Sequence, residues 1–253
     1  RPCYLISSIR GYSVSMPPTP TPTLTPAHAI FKSPAHLPLI GPSILSGDFG
    51  RMEADCRPLL ENGADYLHLD VMDGRFVPNL TMGPDMCRWM RKYFPTTALD
   101  VHLMVEEPEK FVDAFIEAGA TNLTFHVETH KGGDATRLAD HIHKAGALCG
   151  LAVNPPTDVA PLLDVAGAFD VLLVMSVNPG FSGQAFIPSV LEKAKRIKPL
   201  LRKDQRLEVD GGVSPKTAPD CRAAGIDTLV SASAIFGKPP EERKGVMQAL
   251  RGS

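Results

Sequence analysis

The sequence predicts an α/β fold, specifically a single-domain (β/α)8 TIM barrel with a disordered N-terminal extension. From Leu39 onward, eight short β-rich apolar runs alternate with longer amphipathic stretches, a pattern typical of βαβ units and a parallel sheet. The chain has 253 residues, and barrels of this kind commonly contain about 250 residues in one domain. Eight regular repeats favour the closed barrel over an open doubly wound sheet, which stays the alternative fold.

The predicted strands are short runs rich in apolar and β-branched side chains, each followed by polar or glycine-rich residues. In chain order they cover Leu39–Leu45, Asp65–Val71, Ala98–Met104, Asn122–His126, Leu148–Val153, Val171–Ser176, Arg206–Val209 and Thr228–Ser231. In a parallel barrel, functional groups lie at the C-terminal ends of the strands. We therefore expect the active site where these runs end.

The stretches between the strands predict helices, and several begin with a proline, which is favoured in the first turn of a helix. The helix candidates are Arg51–Asn62, Pro108–Ala118, Thr136–Ala145, Pro188–Leu201 and Pro215–Ala224. A glycine is typical where a helix ends before the next strand. Glycines stand at such places after four of the candidates, at Gly63, Gly119, Gly146 and Gly225.

The composition argues against several classes of protein. The 26 basic and 28 acidic residues give a net charge of -2, which indicates neither a nucleic-acid surface nor an anionic-membrane surface. Charges and prolines interrupt every apolar run before the roughly 18 residues that a membrane span requires. The five cysteines are scattered and contain no C-x-x-C pair, so we expect no disulfide framework. These features predict a cytoplasmic protein without nucleic-acid or membrane partners.

Residues 1–37 differ in composition from the rest of the chain. A Pro/Thr tract covers Pro17–Pro26, and no acidic residue precedes Asp48. Such a segment predicts a disordered leader that does not pack. The lack of acids beside Ser, Thr and Arg is also typical of an organellar transit peptide, which would place the protein in a plastid. Residues 38–253 are predicted to form the barrel.

Four ionisable side chains are predicted to converge at the mouth of the barrel. Side chains alternate faces along a strand, so His68 and Asp70 share a face, and His102 lies near the end of the next strand. Asp210 ends the seventh strand, just before a double glycine. One such residue alone is more typical of a structural hydrogen bond, but burying four is costly unless they are paired, protonated or metal-bound. Their donor atoms suit a divalent transition metal.

Three methionines fall at the ends of predicted strands, at Met72, Met104 and Met175. Core packing explains most methionines of this kind. We interpret them as the apolar lining of the cavity.

Three consecutive loops indicate an anion-binding site. Residues 177–184 follow the sixth strand, residues 210–215 follow the seventh, and residues 231–234 follow the eighth. Barrel enzymes often bind phosphate where the loops after strands seven and eight meet a helix N-terminus, because free N–H groups and the helix dipole favour negative charge. One glycine-rich loop is more often an ordinary turn, but three in succession favour phosphate.

The chain resembles the ribulose-phosphate 3-epimerase family of the pentose phosphate pathway and the Calvin cycle. The resemblance covers Ile40 to about Phe236, and its motifs occur together in few other families. They are Gly41-Pro-Ser-Ile-Leu45, Leu67-His-Leu-Asp-Val-Met-Asp-Gly74, Phe76-Val-Pro-Asn79, His102-Leu-Met-Val105, Met175-Ser-Val-Asn-Pro-Gly-Phe-Ser-Gly-Gln184 and Val209-Asp-Gly-Gly-Val213.

The resemblance implies an isomerase that interconverts D-ribulose 5-phosphate and D-xylulose 5-phosphate. Two aspartates, Asp70 and Asp210, would transfer protons at carbon 3 through a metal-stabilised 2,3-enediolate. One divalent cation, Zn2+ or Fe2+ with Mn2+ as a third choice, would be held by His68, Asp70, His102 and Asp210. The residues implied to contact substrate are Ser43, His102, Met72, Met104, Met175, Gly180, Phe181, Ser182, Gly183, Gly211, Gly212, Ala232 and Ser233. The family also suggests a homo-oligomer, either a dimer or a hexamer.

Three positions depart from the family's usual pattern. Ser182 replaces a third glycine, Arg75 stands where a histidine is common, and Ala232 replaces a glycine. The alanine matters most, because its methyl group could crowd an approaching phosphate or forbid a positive φ. This departure puts the affinity for substrate in question.

Two other functions stay open. An epimerase of the same superfamily acting on a hexulose 6-phosphate would have the same metal site, and kinetics with both sugars would distinguish it. A phosphate-binding barrel without catalysis would keep the glycine-rich loops but would transfer no solvent deuterium to carbon 3.

Overall fold

The strands form a barrel of eight parallel members. The computed structural model describes residues 25–253, and the strand order is β1-β8-β7-β6-β5-β4-β3-β2. The strands are β1 Leu39–Pro42, β2 Tyr66–Met72, β3 Ala98–Met104, β4 Asn122–His126, β5 Leu148–Val153, β6 Val171–Met175, β7 Arg206–Asp210 and β8 Thr228–Ser231.

The first and last members of this order, β1 and β2, meet and close the ring. The Asp65 N–H donates to the Ile40 carbonyl at 2.9 Å, and Ser43 pairs with His68 in a parallel bridge. The predicted (β/α)8 barrel is therefore confirmed, and the open-sheet alternative is wrong.

Helices connect the successive strands, and others precede β1 and follow β8. They are α1 Pro26–Lys32, α2 Met52–Glu61, α3 Pro84–Tyr93, α4 Val112–Glu117, α5 Gly132–Lys144, α6 Ala160–Leu163, α7 Leu191–Ile197, α8 Ala218–Ala223, α9 Ser233–Phe236 and α10 Pro240–Arg251. Short 3-10 turns cover Ile44–Ser46, Pro108–Lys110, Ala166–Ala168, Pro188–Val190 and Lys198–Leu200. Between residues 25 and 253, no helix is both long enough and apolar enough to cross a membrane.

Strand β1 ends at Pro42, earlier than the predicted Leu45. The Ser43 N–H still donates to the Ser231 carbonyl at 3.1 Å, but a 3-10 turn follows, and the Ser43 side chain caps this turn by accepting the Leu45 N–H at 3.4 Å. The turn leaves Ser43 at the mouth of the barrel.

The main apolar core lies between the strands and the surrounding helices. In β2, Leu67 and Leu69 are fully buried in this core together with Leu59 of α2 and Met90 of α3. Because side chains alternate along a strand, the intervening residues of β2 project into the barrel. The polar residues of the strands therefore gather inside the ring.

Helix α1 closes the N-terminal end of the barrel. Ala27 and Phe31 lie one turn apart on α1, and both pack in a cluster with Tyr66. The rings of Phe31 and Tyr66 lie 5.2 Å apart between centroids, and Lys32 pairs with Asp170.

The prediction that residues 1–37 do not pack is thus wrong for α1. Its two buried apolar side chains, Ala27 and Phe31, cover the open end of the barrel and are themselves removed from water. Residues 1–24, which include most of the Pro/Thr tract and any transit segment, lie outside the described residues.

Candidate metal centre and active site

The four residues predicted as metal ligands come together at the C-terminal mouth of the barrel. His68 and Asp70 come from β2, His102 from β3 and Asp210 from the end of β7. Each offers one donor atom, and these atoms all lie within 4.8 Å of one another. We refer to these four residues as the His/Asp cluster.

Asp70 occupies the centre of the His/Asp cluster. Its Oδ1 lies 3.3 Å from Nε2 of His68 and 3.2 Å from Nδ1 of His102. The same nitrogen of His102 lies 3.7 Å from Oδ2 of Asp210. The two histidine side chains are fully buried, and that of Asp210 is 13% exposed.

The arrangement fits a divalent cation. Nε2 of His68 is buried and has no hydrogen-bond partner among the described residues, although it faces Asp70. A buried polar atom without a partner needs an explanation, and an ion bound at this nitrogen would supply one. Two imidazole nitrogens and two carboxylates also match the donors that zinc, iron and manganese accept.

His68 is oriented by an aspartate that sequence reasoning missed. Its Nδ1 lies 2.7 Å from Oδ2 of Asp100, whose Oδ1 accepts a hydrogen bond from the Asn122 amide at 2.7 Å. A proton on Nδ1 leaves the lone pair of Nε2 directed at the cluster, the usual arrangement of a metal-binding histidine. The sequence did contain a pattern that points to Asp100, because Asp100 and His102 share a face of β3.

The two cluster carboxyls differ in charge. Burial alone would raise the pKa of Asp70, but His68 and His102 hold that pKa well below its usual range. Burial and the negative charge of Asp70 raise the pKa of Asp210 to about 7. Among the protein groups alone, Asp70 is therefore the carboxylate and Asp210 the proton carrier near neutral pH.

A second buried acid, Glu208, lies below the His/Asp cluster inside the barrel. Its Oε1 accepts a hydrogen bond from the Tyr66 hydroxyl at 3.0 Å and lies 3.5 Å from Nδ1 of His68. Burial and the charge of Asp100 raise the pKa of Glu208 well above its usual range. Sequence reasoning missed this residue too, although Glu208 and Asp210 share one face of β7.

The predicted methionines surround the cluster. Met72 and Met104 are paired across β2 and β3 and pack together with Val77. Met175 is paired with Asp210 across β6 and β7. All three methionines line the same cavity as Asp70 and Asp210.

All eight predicted phosphate-binding residues line this cavity as well. These are Gly180, Phe181, Ser182, Gly183, Gly211, Gly212, Ala232 and Ser233. Among these residues, the closest approach to another part of the backbone is at Gly212, where φ is +63° and an added Cβ would lie 2.6 Å from the Phe186 nitrogen. This position requires glycine.

Ala232 does not adopt the left-handed conformation that favours glycine. Its φ is -105°, and within residues 25–253 only glycines have a positive φ. The substitution therefore imposes no left-handed strain on the backbone. Arg75, the second departure, pairs at the surface with Glu106 at 2.6 Å.

Ser43 and His126 also contact the His/Asp cluster. The Ser43 hydroxyl donates to Oδ2 of Asp70 at 2.5 Å, although Ser43 does not itself line the cavity, and its contact with substrate stays a prediction. Nε2 of His126 lies 2.8 Å from Nε2 of His102. His126 was read from the sequence only as the last residue of a strand.

The chain is similar in sequence to one family along most of its length. The model of the ribulose-phosphate 3 epimerase family matches residues 39–236. A ribulose-phosphate 3-epimerase of Serratia marcescens is 45% identical over 204 residues, which cover 79% of this chain and 96% of the relative. Its counterpart in Escherichia coli strain K12 is 44% identical over 216 residues, 84% of this chain and 94% of the relative. The ribulose-phosphate 3-epimerase of Bacillus subtilis strain 168 is 42% identical over 220 residues, which cover 85% of this chain and 98% of the relative.

Solved structures share the fold at much lower identity. KGPDC from Streptococcus mutans matches with a TM-score of 0.64 and 13% identity, covering 86% of this chain and 97% of that one. A 3-hexulose-6-phosphate synthase matches with a TM-score of 0.59 and 15% identity, covering 85% and 98%. At such identities the likeness concerns the barrel alone.

Proposed function

The chain belongs to the ribulose-phosphate 3-epimerase family, and on that premise we propose that this epimerase interconverts D-ribulose 5-phosphate and D-xylulose 5-phosphate by inverting carbon 3. The observation that carries the proposal is the His/Asp cluster, in which two carboxyls and two imidazoles offer donor atoms within 4.8 Å of one another. Inversion needs a proton acceptor and a proton donor at one carbon, and the cluster contains two candidate groups.

One divalent cation, Zn2+ or Fe2+ with Mn2+ as a third choice, would be held by His68, Asp70, His102 and Asp210. When bound, it supplies Lewis-acid stabilisation of negative charge on the oxygens at carbons 2 and 3. The partnerless Nε2 of His68 supports this assignment. Neutral imidazoles are the form that binds such a metal.

Asp70 and Asp210 are the proposed acid and base. They come from β2 and β7, so they can reach a bound sugar from different sides. Their opposite pKa shifts give one group that accepts a proton and one that donates it near neutral pH. As the proton leaves one face of carbon 3, the other carboxyl delivers a proton to the opposite face, and the stereocentre inverts.

The remaining residues hold the substrate and keep water away. Ser43 fixes Asp70 through its hydroxyl, and Met72, Met104 and Met175 give the cavity an apolar wall. Exclusion of water from such a cavity strengthens the electrostatic interactions at the reacting carbon.

The phosphate group would lie against the glycine-rich loops that follow β6, β7 and β8. Backbone N–H groups of Gly183, Gly212 and Ser233 are candidate donors, since all three residues line the cavity. Backbone amides in such loops are well suited to bind phosphate oxygens.

The decisive experiment combines metal analysis of the purified protein with an epimerisation assay on ribulose 5-phosphate in deuterated water. We expect about one divalent ion per chain, formation of xylulose 5-phosphate and deuterium at carbon 3. A protein that binds no metal and exchanges no deuterium would contradict the proposal. A faster reaction with a hexulose 6-phosphate would assign the chain to that substrate instead.

Two further properties stay predictions. The chain is expected to assemble as a dimer or a hexamer, which light scattering measures. It is expected in the cytoplasm, with a plastid as the alternative, which localisation of the full-length protein distinguishes.

A further inference from the structure

We propose that Glu128, acting through His126, is a positioning residue that holds His102 in the tautomer required of a metal ligand. This inference rests on the metal site of the proposed function and deepens it. Neither His126 nor Glu128 belongs to the His/Asp cluster, and neither lines the substrate cavity.

His102, His126 and Glu128 form a continuous series of contacts. Nε2 of His102 lies 2.8 Å from Nε2 of His126, and Nδ1 of His126 lies 3.1 Å from Oε2 of Glu128. The planes of the two imidazole rings lie 18° apart, with 5.0 Å between the ring centroids. The side chains of both histidines are fully buried.

Two facing imidazole nitrogens at this distance must share one proton, because two lone pairs or two N–H groups would repel each other. Nδ1 of His102 faces the two cluster carboxyls, and a metal ligand needs its lone pair there. The proton of His102 then belongs on Nε2, from which it donates to His126. His126 must therefore accept this hydrogen bond on Nε2 and carry its own proton on Nδ1.

Glu128 selects this tautomer over the reverse one. A carboxylate is only an acceptor, so it requires a proton on Nδ1 of His126. The reverse arrangement would place a lone pair of His126 against the carboxylate and a proton of His102 in the metal site. Burial alone would raise the pKa of Glu128, but hydrogen bonds from His126, Thr157 and the Asn154 N–H help to lower it to about 2.

The carboxylate is itself held in place by the chain. Oε1 of Glu128 accepts the Asn154 N–H at 2.9 Å. Nζ of Lys193 donates to the carbonyls of Asn154 at 2.6 Å and Pro155 at 2.9 Å. On the other side, the Phe76 ring covers His126 at 4.7 Å. Glu128, which lies farthest from His102 in this series of contacts, is therefore held in place.

The test measures Zn2+ affinity by chelator competition in Glu128→Ala and Glu128→Gln. Loss of an outer partner of a metal-binding histidine typically lowers affinity by about 10- to 100-fold. We expect a loss in this range for alanine and a smaller loss for glutamine, whose amide oxygen can still accept the proton of His126. The visible spectrum of the Co2+-loaded protein should change in both variants, because the ligand field at His102 changes.

Glu109→Ala is the matched control. Oε2 of Glu109 lies 3.4 Å from Nε2 of His130, and the Glu109 side chain is 49% exposed. This change removes a Glu–His pair outside the cluster, and we expect unchanged Zn2+ affinity.

The outcomes separate this inference from the proposed function. Wild-type affinity in Glu128→Ala, or an equal loss in Glu109→Ala, would overturn the positioning role while the metal site stands. If the alanine variant does not fold, the glutamine variant decides, and an unchanged affinity and Co2+ spectrum there overturn the role. Wild-type protein that binds no metal and lacks epimerase activity would instead reject the proposed function itself.

Discussion

Asp70 and Asp210 approach the same imidazole nitrogen from different strands of the barrel. Nδ1 of His102 lies 3.2 Å from Oδ1 of Asp70 and 3.7 Å from Oδ2 of Asp210. Two carboxylates this close repel each other, so one of them takes up a proton unless a cation compensates. The pair is thus suited both to hold a metal and to exchange protons.

Removal of the Asp210 carboxyl should abolish proton transfer without unfolding the barrel. We expect Asp210→Asn to lower the turnover number for ribulose 5-phosphate by at least about 10²-fold, the usual scale of a lost general acid or base. Steady-state kinetics and circular dichroism measure the two effects. Asp220→Asn, at an exposed position of α8, should leave the turnover number unchanged, and near-normal turnover of Asp210→Asn would refute the assignment.

The raised pKa of Asp210 predicts a pH-dependent stability when a chelator is present. The folded-state pKa is about 7 and the unfolded-state value about 3.9, so the folded protein binds the extra proton between them. The free energy of unfolding should therefore fall as the pH rises from about 4 to about 7 and then level off.

The same pH series with Asp210→Asn isolates this contribution. Asparagine stays neutral, so the variant should gain stability relative to the wild type across the same pH interval. Urea denaturation at several pH values measures the difference. A difference that does not change with pH would show that Asp210 is ionised in the folded protein throughout.

Gly212→Ala should weaken substrate binding and destabilise the protein. The backbone has φ +63°, and the new methyl group would lie 2.6 Å from the Phe186 nitrogen. We expect a loss of about 1–3 kcal/mol in the free energy of unfolding and a raised KM for the sugar phosphate. Gly245→Ala is the control, since its methyl group in α10 meets open space and should stabilise the helix by about 0.5–1 kcal/mol. A Gly212→Ala variant with wild-type KM would remove this residue from the phosphate site.

Phe31→Ala tests whether α1 is part of the barrel's core. The Phe31 side chain is fully buried against Tyr66, and such truncations cost about 3–5 kcal/mol of stability. Activity below the unfolding temperature should persist, because α1 contributes no residue to the His/Asp cluster. Leu37 is 47% exposed, so Leu37→Ala should change the free energy of unfolding by less than about 0.5 kcal/mol. Equal effects of the two changes would show that α1 does not pack.

The positions of the strands and the convergence of the His/Asp cluster could be predicted from the sequence. Both follow from local rules: the alternation of side chains places His68 and Asp70 on one face, and a parallel barrel brings strand ends to one mouth. The helix ends were less predictable, because Pro188–Leu201, predicted as one helix, consists of α7 between two 3-10 turns.

Only the tertiary structure decided which groups orient the ligands and what closes the barrel. Asp100 reaches His68 because the two residues are paired in the register of β2 and β3, and His126 reaches His102 from the neighbouring strand β4. Likewise, α1 packs because Phe31 finds Tyr66 at the open end of the ring. Periodicity along one segment determines the face on which a side chain lies, but its partner depends on strand register and ring closure, which join segments far apart in the chain.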